Sequence, residues 1–372
     1  MMMYRIFNMN ILKLLILGSI IFFLTLGVSV AYDVNGSDNI NSNANQGSFA
    51  DLNALIENLP ENSNITLSQD YFCANDDFPD GIVINKPITI NGNNHIIDAN
   101  SNSRIFDVSA SGVVLKNIVF INGKTDGDGG AVRLAPDSEI NNCTFENNHA
   151  GRGGAVYLDE SYIYDSDFVN NSAGEGGAVY SDGGSTYSST FTDNHADEAG
   201  GAIFQLDSSV SDSVFRNNSA GKSGGAVYQS DSILASCVFQ DNNAATGGAI
   251  YQIASKLYDS VLSDNSADHG GAVYQESGSE LHNCTFENNH AKFGCDDICD
   301  PYYPHNGDQS DDTTRNNSSD SQSDDIAQNN YLDNPSDDIC QNKIGTDGKS
   351  NTGNPLGLLI LVVFVLITRV KR

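Results

Sequence analysis

The sequence lacks tryptophan, has only 8 prolines and is above all poor in basic residues. It contains 18 Lys and Arg against 48 Asp and Glu, a formal net charge of −30 over 372 residues. So few cations cannot neutralise a phosphate backbone, and the composition therefore excludes nucleic acid as a partner. A large negative charge is typical of soluble, mutually repelling surfaces. The charge alone indicates no particular function.

A short unit recurs through the middle of the chain. Each copy has a Phe, or once a Leu, with an Asn three residues later, and a Gly-Gly-Ala followed by Val or Ile. The second glycine recurs every 23 or 24 residues, at Gly130, Gly154, Gly177, Gly201, Gly225, Gly248 and Gly271. A last copy, beginning at Phe286, decays because Cys295 replaces the second glycine after Gly294. Self-similarity at this period indicates stacked repeats.

The repeats do not have the patterns of the common helical solenoids. No copy has an apolar 3.6-residue period long enough for a helix, and none has the Leu-x-x-Leu-x-Leu pattern. Each has two short strand-like pieces, Ala-Val-Tyr and Ser-x-Phe or their variants, separated by Asn, Gly, Ser and Asp. We therefore predict an all-β fold, a right-handed single-stranded parallel β-helix of about ten coils, with the regular repeats in residues 129–299.

Side chains alternate between the two faces of a strand, so the repeat also predicts an interior. One inward row is always β-branched: Val132, Val156, Val179, Ile203, Val227, Ile250 and Val273. A second consists of Phe145, Phe168, Phe191, Phe215, Phe239, Leu262 and Phe286. The Asn row comprises Asn148, Asn171, Asn194, Asn218, Asn242, Asn265 and Asn289. We expect it to form an amide ladder at a turn with left-handed backbone. The Gly-Gly pair is expected where a turn needs positive φ or close approach.

The segments before the repeats predict export and a cap. Residues 1–31 have the charged, apolar and small-residue order of a signal peptide, with an uncleaved N-terminal anchor as the alternative. Residues 32–48 are predicted to be a disordered polar segment. Residues 49–128 are predicted to hold irregular coils after an amphipathic capping helix, whose apolar residues include Leu55 and Leu59. A helix at this place would cover the first open edge of the solenoid.

The segments after the repeats predict a tether. Residues 300–353 are rich in Asp, Asn and Ser, which is typical of a disordered stalk. Residues 354–372 hold an apolar run followed by Arg369, Lys371 and Arg372, which predicts a transmembrane anchor with a basic cytoplasmic tail. A cleaved wall-sorting signal is the alternative. Both interpretations place the protein on the cell surface, and the first anchors it in the cytoplasmic membrane.

The pairing of "FENN", "FVNN" and "FTDN" with Gly-Gly-Ala and a β-branched residue resembles the repeat of the chlamydial polymorphic outer membrane proteins. The full layout, with "SFADLNALIENLP", "ITINGNNHIIDAN" and the apolar C-terminal run, is similar to the adhesin-like surface proteins of methanogenic archaea. The resemblance covers nearly the whole chain. It implies a pectin-lyase-like β-helix displayed on a cell envelope. It also implies adhesion to other cells, surface glycans or host surface proteins.

One outward row is the candidate binding site. Aromatic residues follow the inward Val or Ile by one position, so they are predicted to face solvent as a stripe. The aromatic stripe consists of Tyr157, Tyr180, Phe204, Tyr228, Tyr251 and Tyr274. Such rings are expected to stack on sugar rings or on a partner strand. The alternative is that the rings stack on one another and brace the sheet.

No catalytic site, metal or cofactor is predicted. Acidic residues recur after the stripe, at Asp159, Asp182, Asp207, Asp231 and Glu276. No Arg or Lys recurs with them, although a lyase needs a base of this kind. We therefore predict a non-enzymatic, adhesin-like surface protein. The alternatives are a structural coat protein without a specific ligand and a carbohydrate-active enzyme.

The cysteines predict little cross-linking within the repeats. Cys143, Cys237 and Cys284 share one inward position in coils that are about 10 Å or more apart at the strand spacing, too far for a bridge. We expect them to be free thiols. Cys295, Cys299 and Cys340 are the candidates for a disulfide.

Overall fold

The computed structural model describes residues 46–74 and 78–301, which fold as an all-β parallel solenoid of about ten turns. The strands pair in parallel with their counterparts in the coils before and after. The predicted β-solenoid is therefore confirmed, and its right-handed coiling stays a prediction.

The segments predicted to flank the solenoid lie mostly outside the described residues. This holds for the signal peptide at 1–31, for the stalk beyond residue 301 and for the membrane anchor at 354–372. Residues 46–48, which we assigned to the disordered polar segment, form a strand instead, paired with Asp70–Phe72. In the described ranges, no helix has both the length and the apolar character to cross a membrane.

Four sheets form the walls of the solenoid, and each is named after its inward residues. The phenylalanine sheet contains Gln46–Ser48, Asp70–Phe72, Ile96–Asp98, Val119–Ile121, Thr144–Glu146, Asp167–Val169, Thr190–Thr192, Val214–Arg216, Val238–Gln240, Val261–Ser263 and Thr285–Glu287. The valine sheet contains Ile82–Ile84, Phe106–Val108, Val132–Leu134, Val156–Asp159, Val179–Asp182, Ile203–Leu206, Val227–Ser230, Ile250–Ile253, Val273–Gln275 and Ile298–Cys299. The leucine sheet contains Asn64–Thr66, Thr89–Asn91, Val114–Lys116, Glu139–Asn141, Tyr162–Tyr164, Ser185–Tyr187, Ser209–Ser211, Ile233–Ala235, Lys256–Tyr258 and Glu280–His282. The alanine sheet contains His149–Arg152, Ser172–Glu175, His195–Ala199, Ser219–Ala220, Asn243–Thr246, Ser266–His269 and His290–Ala291.

Each regular coil has four strands, whereas the sequence pattern predicted two. The two predicted pieces are the strands of the valine and phenylalanine sheets. The leucine-sheet strand Tyr162–Tyr164 buries a single side chain, Ile163, and the alanine-sheet strand Ser172–Glu175 buries only Ala173. In the next coils Thr186 and Val210 replace Ile163, and Ala173 is small, so neither position carries the recurring large apolar residue that marked the two predicted strands.

The predicted inward rows are buried and stacked. The side chains from Phe145 to Phe239 in the phenylalanine row are 0% exposed, as is the whole row from Val132 to Val273. Successive phenylalanine rings lie 4.7 to 4.9 Å apart with planes within 3 to 7° of each other. This distance is the spacing of hydrogen-bonded strands, about 4.8 Å, so the backbone places each ring on the next.

The Asn row forms a buried amide ladder that ties the coils together. The Nδ2 atom of Asn194 donates to Oδ1 of Asn218 at 3.0 Å and to the carbonyl oxygen of Phe168 at 3.1 Å. The same Oδ1 accepts the backbone N–H of Asn194 at 3.0 Å. This pattern repeats from Asn148 to Asn289. Each amide is therefore satisfied inside the core by the coils on both sides.

The left-handed backbone lies one residue earlier than predicted. Positive φ occurs at the residue before each ladder Asn, at Asn147, Asn170, Asp193, Asn217, Asp241, Asp264 and Asn288. Asn or Asp occupies this position in every copy because both tolerate left-handed backbone. The exposed residue makes the turn, and the next residue points inward to form the ladder.

The two glycines of each pair serve different purposes, and both predicted reasons hold. The first glycine has positive φ in every copy, for example 66° at Gly200. The second approaches a neighbouring coil, since a Cβ atom on Gly201 would lie 2.0 Å from the carbonyl oxygen of Gly225. No side chain fits at that distance from backbone, so only glycine is compatible with the second position.

The helix Phe49–Glu57 packs at the N-terminal end of the core, as the sequence predicted. Ser48 caps the helix through a capping box with Asp51. Leu52 and Ile56 are buried in the same core as the coils, whereas Leu55 is 37% exposed. The apolar face of the helix is therefore narrower than the sequence pattern suggested.

A second amide ladder lies inside the valine sheet. Gln205, Gln229 and Gln252 are fully buried in a row that earlier coils fill with Leu134 and Leu158. Their side-chain amides bond along the row at 3.0 and 2.9 Å. The last coils thus exchange apolar packing for amide hydrogen bonds at one core position.

Carboxylates accept the last hydrogen bond of both ladders at the C-terminal end. Asn289 donates to Asp297 at 3.1 Å, and Gln275 donates to Asp300 at 3.0 Å. Burial raises the pKa of Asp297, although the hydrogen bond from Asn289 opposes this shift. Asp300, which we assigned to the stalk, is therefore part of the solenoid.

A single substitution tests the Asn ladder. Asn218→Ala leaves one side-chain N–H and the backbone N–H of Asn194 without an acceptor, and the carbonyl of Phe191 without its side-chain donor. We expect the free energy of unfolding in urea to fall by about 3 kcal/mol or more, because each buried unpaired group costs about 1–3 kcal/mol. Asn243→Ala, at an exposed Asn, is the control and should change it by less than about 0.5 kcal/mol. Equal losses in the two variants would contradict a buried ladder.

A second substitution tests the close approach at the glycine pair. Gly201→Ala places a methyl group 2.0 Å from one carbonyl oxygen and 2.5 Å from another, both of them backbone. We expect a loss of about 3 kcal/mol or more, the upper end for overpacking. Gly127→Ala is the control, because its nearest contact would be 3.6 Å away. A Gly201→Ala variant that melts at the wild-type temperature would refute this account.

Candidate ligand-binding surface

The structure brings all six residues of the predicted aromatic stripe into one row. They are register partners on the outer face of the valine sheet, from Tyr157 through Tyr274. Arg133 precedes the row and Cys299 follows it in the same register. The predicted row of residues is therefore present, and its use as a binding surface stays a prediction.

The rings of the stripe stack on one another. Successive centroids are 4.5 to 5.2 Å apart and the ring planes are within 5 to 9°. Each ring face between the ends is therefore covered by a neighbouring ring, and only ring edges and hydroxyl groups are left outside the stack. This is the bracing arrangement that is the alternative to ligand binding. Binding by the stripe stays a prediction, and the geometry restricts it to contacts with ring edges and hydroxyls.

The exposure of the stripe is lower than predicted at its N-terminal end. Tyr180 is only 7% exposed. The guanidinium of Arg152 lies 5.1 Å from the ring centroid of Tyr157 and 4.9 Å from that of Tyr180. The same group donates to both carboxylate oxygens of Asp128, at 2.8 and 3.0 Å. Burial raises the pKa of both phenols, which therefore stay neutral and hold the cation against their rings.

An acidic side chain contacts the other end of the stripe. The hydroxyl of Tyr251 donates to the carboxylate of Glu276. Burial and this carboxylate raise the pKa of Tyr251. The hydroxyl is thus a hydrogen-bond donor at neutral pH, already engaged with an acceptor of its own chain.

The recurring acidic residues occupy two different positions of the coil. Asp159 and Asp182 are register partners at the ends of valine-sheet strands, and the row continues with Leu206. Asp207 and Asp231 are turn residues with φ of 46° and 51°. Within residues 46–74 and 78–301, no group of three or more His, Cys, Asp or Glu side chains is placed to hold a metal ion.

The three cysteines of the shared repeat position follow the sequence prediction. Cys143, Cys237 and Cys284 are free, and burial raises the pKa of Cys143 and of Cys237 to about 12. Such thiols are protonated and serve as small core residues. Cys295 is disulfide-bonded, and Cys340 lies outside the described residues.

A second aromatic row, on the outer face of the leucine sheet, was missed by the sequence analysis. Tyr164 stacks on Tyr187 at 5.3 Å, and Tyr258 stacks on His282 at 5.0 Å. Tyr162, beside Tyr164, is 42% exposed. The row could have been found from its spacing, because each of its residues lies four positions before a residue of the phenylalanine row.

The repeats themselves are similar to a known family. Four segments, residues 142–159, 165–182, 188–205 and 212–230, match the family model of the Chlamydia polymorphic membrane protein repeat. Each segment runs from just before the phenylalanine row to just after the aromatic stripe, so it contains the ladder Asn and the glycine pair. The chain is thus a parallel β-solenoid with coils of this repeat type.

Comparisons of whole chains add little. No curated protein matches the chain. Among solved structures, the ORF18 protein of Geobacillus virus E2 is similar at 9% identity and a TM-score of 0.25, over 64% of this chain and 53% of that one. The chain thus spans about half the length of the viral protein. A PL6 alginate lyase in complex with a trisaccharide is similar at 12% identity and a TM-score of 0.21, over 65% of this chain and 84% of the lyase.

Substitution in the middle of the stripe tests its bracing role. Tyr228→Ala removes stacking with Phe204 and Tyr251, and we expect a loss of about 1–3 kcal/mol from the two ring contacts. Tyr228→Phe keeps both contacts and should cost less than about 0.5 kcal/mol, as Phe204 already occupies this row. Urea unfolding measures both changes. An unchanged midpoint for Tyr228→Ala would show that the stack contributes nothing to stability.

Proposed function

We propose that the protein is an adhesin-like protein of the cell surface, in which the solenoid presents the binding surface. The observation that carries this proposal is the match of four consecutive coils to the polymorphic membrane protein repeat. The outward rows of those coils are the natural contact surface, because the inward positions are filled by stacked side chains. A solenoid with extended rows suits attachment to large, repetitive partners.

The proposed location is outside the cell, with the chain tethered to the cytoplasmic membrane. This part depends on the signal peptide predicted at 1–31 and the anchor predicted at 354–372, both outside the described residues. The proposed partners are other cells, surface glycans or host surface proteins. The strongly negative charge favours partners that are neutral or basic at the contact.

We further propose that the protein is not an enzyme. The two exposed cations nearest the stripe are engaged, since Arg133 pairs with Asp107 at 2.7 Å and Arg152 pairs with Asp128 at 2.8 Å. An arginine held by a carboxylate in this way is a poor candidate for a catalytic base. The carbohydrate-active enzyme considered above is accordingly the weaker alternative.

A structural coat protein is the second candidate. The observation in its favour is the self-stacked stripe, whose rings stabilise the sheet without any partner. A coat protein predicts that variants of the outward rows affect stability alone. An adhesin predicts that some of them abolish binding while leaving the fold intact.

Binding of the purified, labelled full-length chain to intact cells and to an array of glycans distinguishes the two. We expect saturable binding to at least one of these surfaces. The matched variant changes Tyr180, Tyr228 and Tyr251 to Phe, which keeps the stack and removes only the hydroxyls. Lost binding with an unchanged melting temperature would place the contact on the stripe. A folded chain that binds none of the cells or glycans would support the coat protein and overturn the adhesin.

A further inference from the structure

An aromatic row on the outer face of the leucine sheet is interrupted in its middle. In register order the row is Tyr164, Tyr187, Ser211, Ala235, Tyr258 and His282. The first two rings stack with planes 11° apart, and so do the last two. Two small residues separate the pairs. The stripe on the valine sheet has no such interruption.

The interruption has the size of two rings. Tyr187 and Tyr258 are three strand spacings apart, about 14 Å at about 4.8 Å per strand. Each of these rings is stacked on its far side, so its other face is directed along the row into the gap. Flat rings stack at a separation of about 4.5 Å or more, so two more rings fit between the walls. We name this gap the tyrosine slot, with Tyr187 and Tyr258 as walls and Ser211 and Ala235 as floor.

The slot differs from the stripe in what it offers a ligand. In the stripe every ring between the ends is covered on both faces by its neighbours. In the slot, two ring faces point at each other across a gap above short side chains. All four slot residues are partly accessible to solvent. Stacking on a ring face, which is how aromatic side chains hold flat ligands, is therefore available in the slot.

Polar and charged groups surround the slot. The neighbouring outward row contains Ser209, Ile233 and Lys256, of which Ile233 is 44% exposed. The hydroxyl of Ser211 donates to the exposed carboxylate of Asp212 at 3.0 Å. Lys256 pairs with Glu280 at 3.2 Å. The border of the slot thus combines hydrogen-bonding groups with two carboxylates against one ammonium.

We infer that the tyrosine slot binds one or two pyranose rings of a neutral or amino sugar, an inference that rests on the proposed surface-binding function. A pyranose has an apolar face that stacks on a phenol ring and a rim of hydroxyls that bond to serine and carboxylate oxygens. The surplus of carboxylates at the border opposes a uronate and favours a neutral or cationic sugar. The inference therefore specifies two things that the proposed function does not: the class of ligand and the face of the solenoid that binds it.

Filling the slot is the sharpest test. The double variant Ser211→Tyr/Ala235→Tyr adds two rings and closes the row between Tyr187 and Tyr258, as the uninterrupted stripe does on the valine sheet, so the variant should fold normally. Tyr187→Ala removes one wall instead. Gln240→Tyr, on the phenylalanine sheet of the same coil, adds an equal ring away from the slot and is the control. Each full-length protein is applied to an array of neutral, amino and uronic oligosaccharides and to intact cells, and its melting temperature is measured.

The expected result is binding to neutral or amino oligosaccharides that falls at least tenfold in Ser211→Tyr/Ala235→Tyr and in Tyr187→Ala, with Gln240→Tyr unchanged. Wild-type protein that binds cells while Ser211→Tyr/Ala235→Tyr binds equally well would overturn the slot and leave the adhesin intact. Cell binding without any glycan binding would also overturn it, in favour of a protein partner. A preference for uronic oligosaccharides would refute the charge argument. Absence of all binding by the folded wild type would remove the proposed function and the slot together.

Discussion

The structure depends on the hydrogen-bonded spacing of parallel strands, because it forces each side chain to lie directly on its counterpart in the next coil. A core position therefore has to be compatible with its own copy about 4.8 Å away on either side. Phenyl rings meet this condition by stacking, amides by donating to one another, and β-branched chains by close packing. Glycine meets this condition where the backbone of the next coil occupies the space of a side chain, as the carbonyl of Gly225 does beside Gly201. The repeat reflects this condition, which applies equally in every coil.

Outward side chains also lie on their counterparts in the next coil, but they can turn into solvent, so their identity is less restricted. The row from Tyr157 to Tyr274 is unbroken, and its rings cover one another. The row through Tyr187 and Tyr258 is broken by two small residues, which leaves ring faces without a neighbour of their own kind. An unbroken row is complete without a ligand, whereas a broken row is not. Function in a solenoid of this type is therefore better sought where an outward row is interrupted than where it is most regular.

The sequence predicted those features that depend on spacing alone. The coil length, the inward Val and Phe rows and the outward position of the stripe all follow from which residues recur at 23 or 24 residues. It failed where a neighbouring coil decides the outcome. Asn217 rather than Asn218 adopts the left-handed backbone conformation, because the amide of Asn218 has to point inward to reach the next coil. The sequence could not predict whether the rings of the stripe stack on one another, because stacking depends on the orientation of each ring relative to the next coil. The second aromatic row was missed because Ser211 and Ala235 interrupt it, so that no residue type recurs at its position in every coil.

The direction of the amide ladders accounts for the difference between the two ends of the solenoid. Along the row, each Asn donates one side-chain N–H to the next Asn toward the C-terminus and accepts on Oδ1 from the Asn before it. The dipoles therefore add, and the C-terminal end presents unpaired donors with partial positive charge. The carboxylates of Asp297 and Asp300 are suited to this end, where they accept from Asn289 and Gln275. At the opposite end the ladder needs a donor, and the backbone N–H of Gly123 supplies it to Asn148 at 2.7 Å. The glutamine ladder starts within the core instead, and Oε1 of Gln205 has no hydrogen-bond donor among the described residues. The asparagine ladder thus starts on a backbone N–H, whereas both ladders end on a carboxylate, and this requirement accounts for Asp297 and Asp300 in the decayed last repeat.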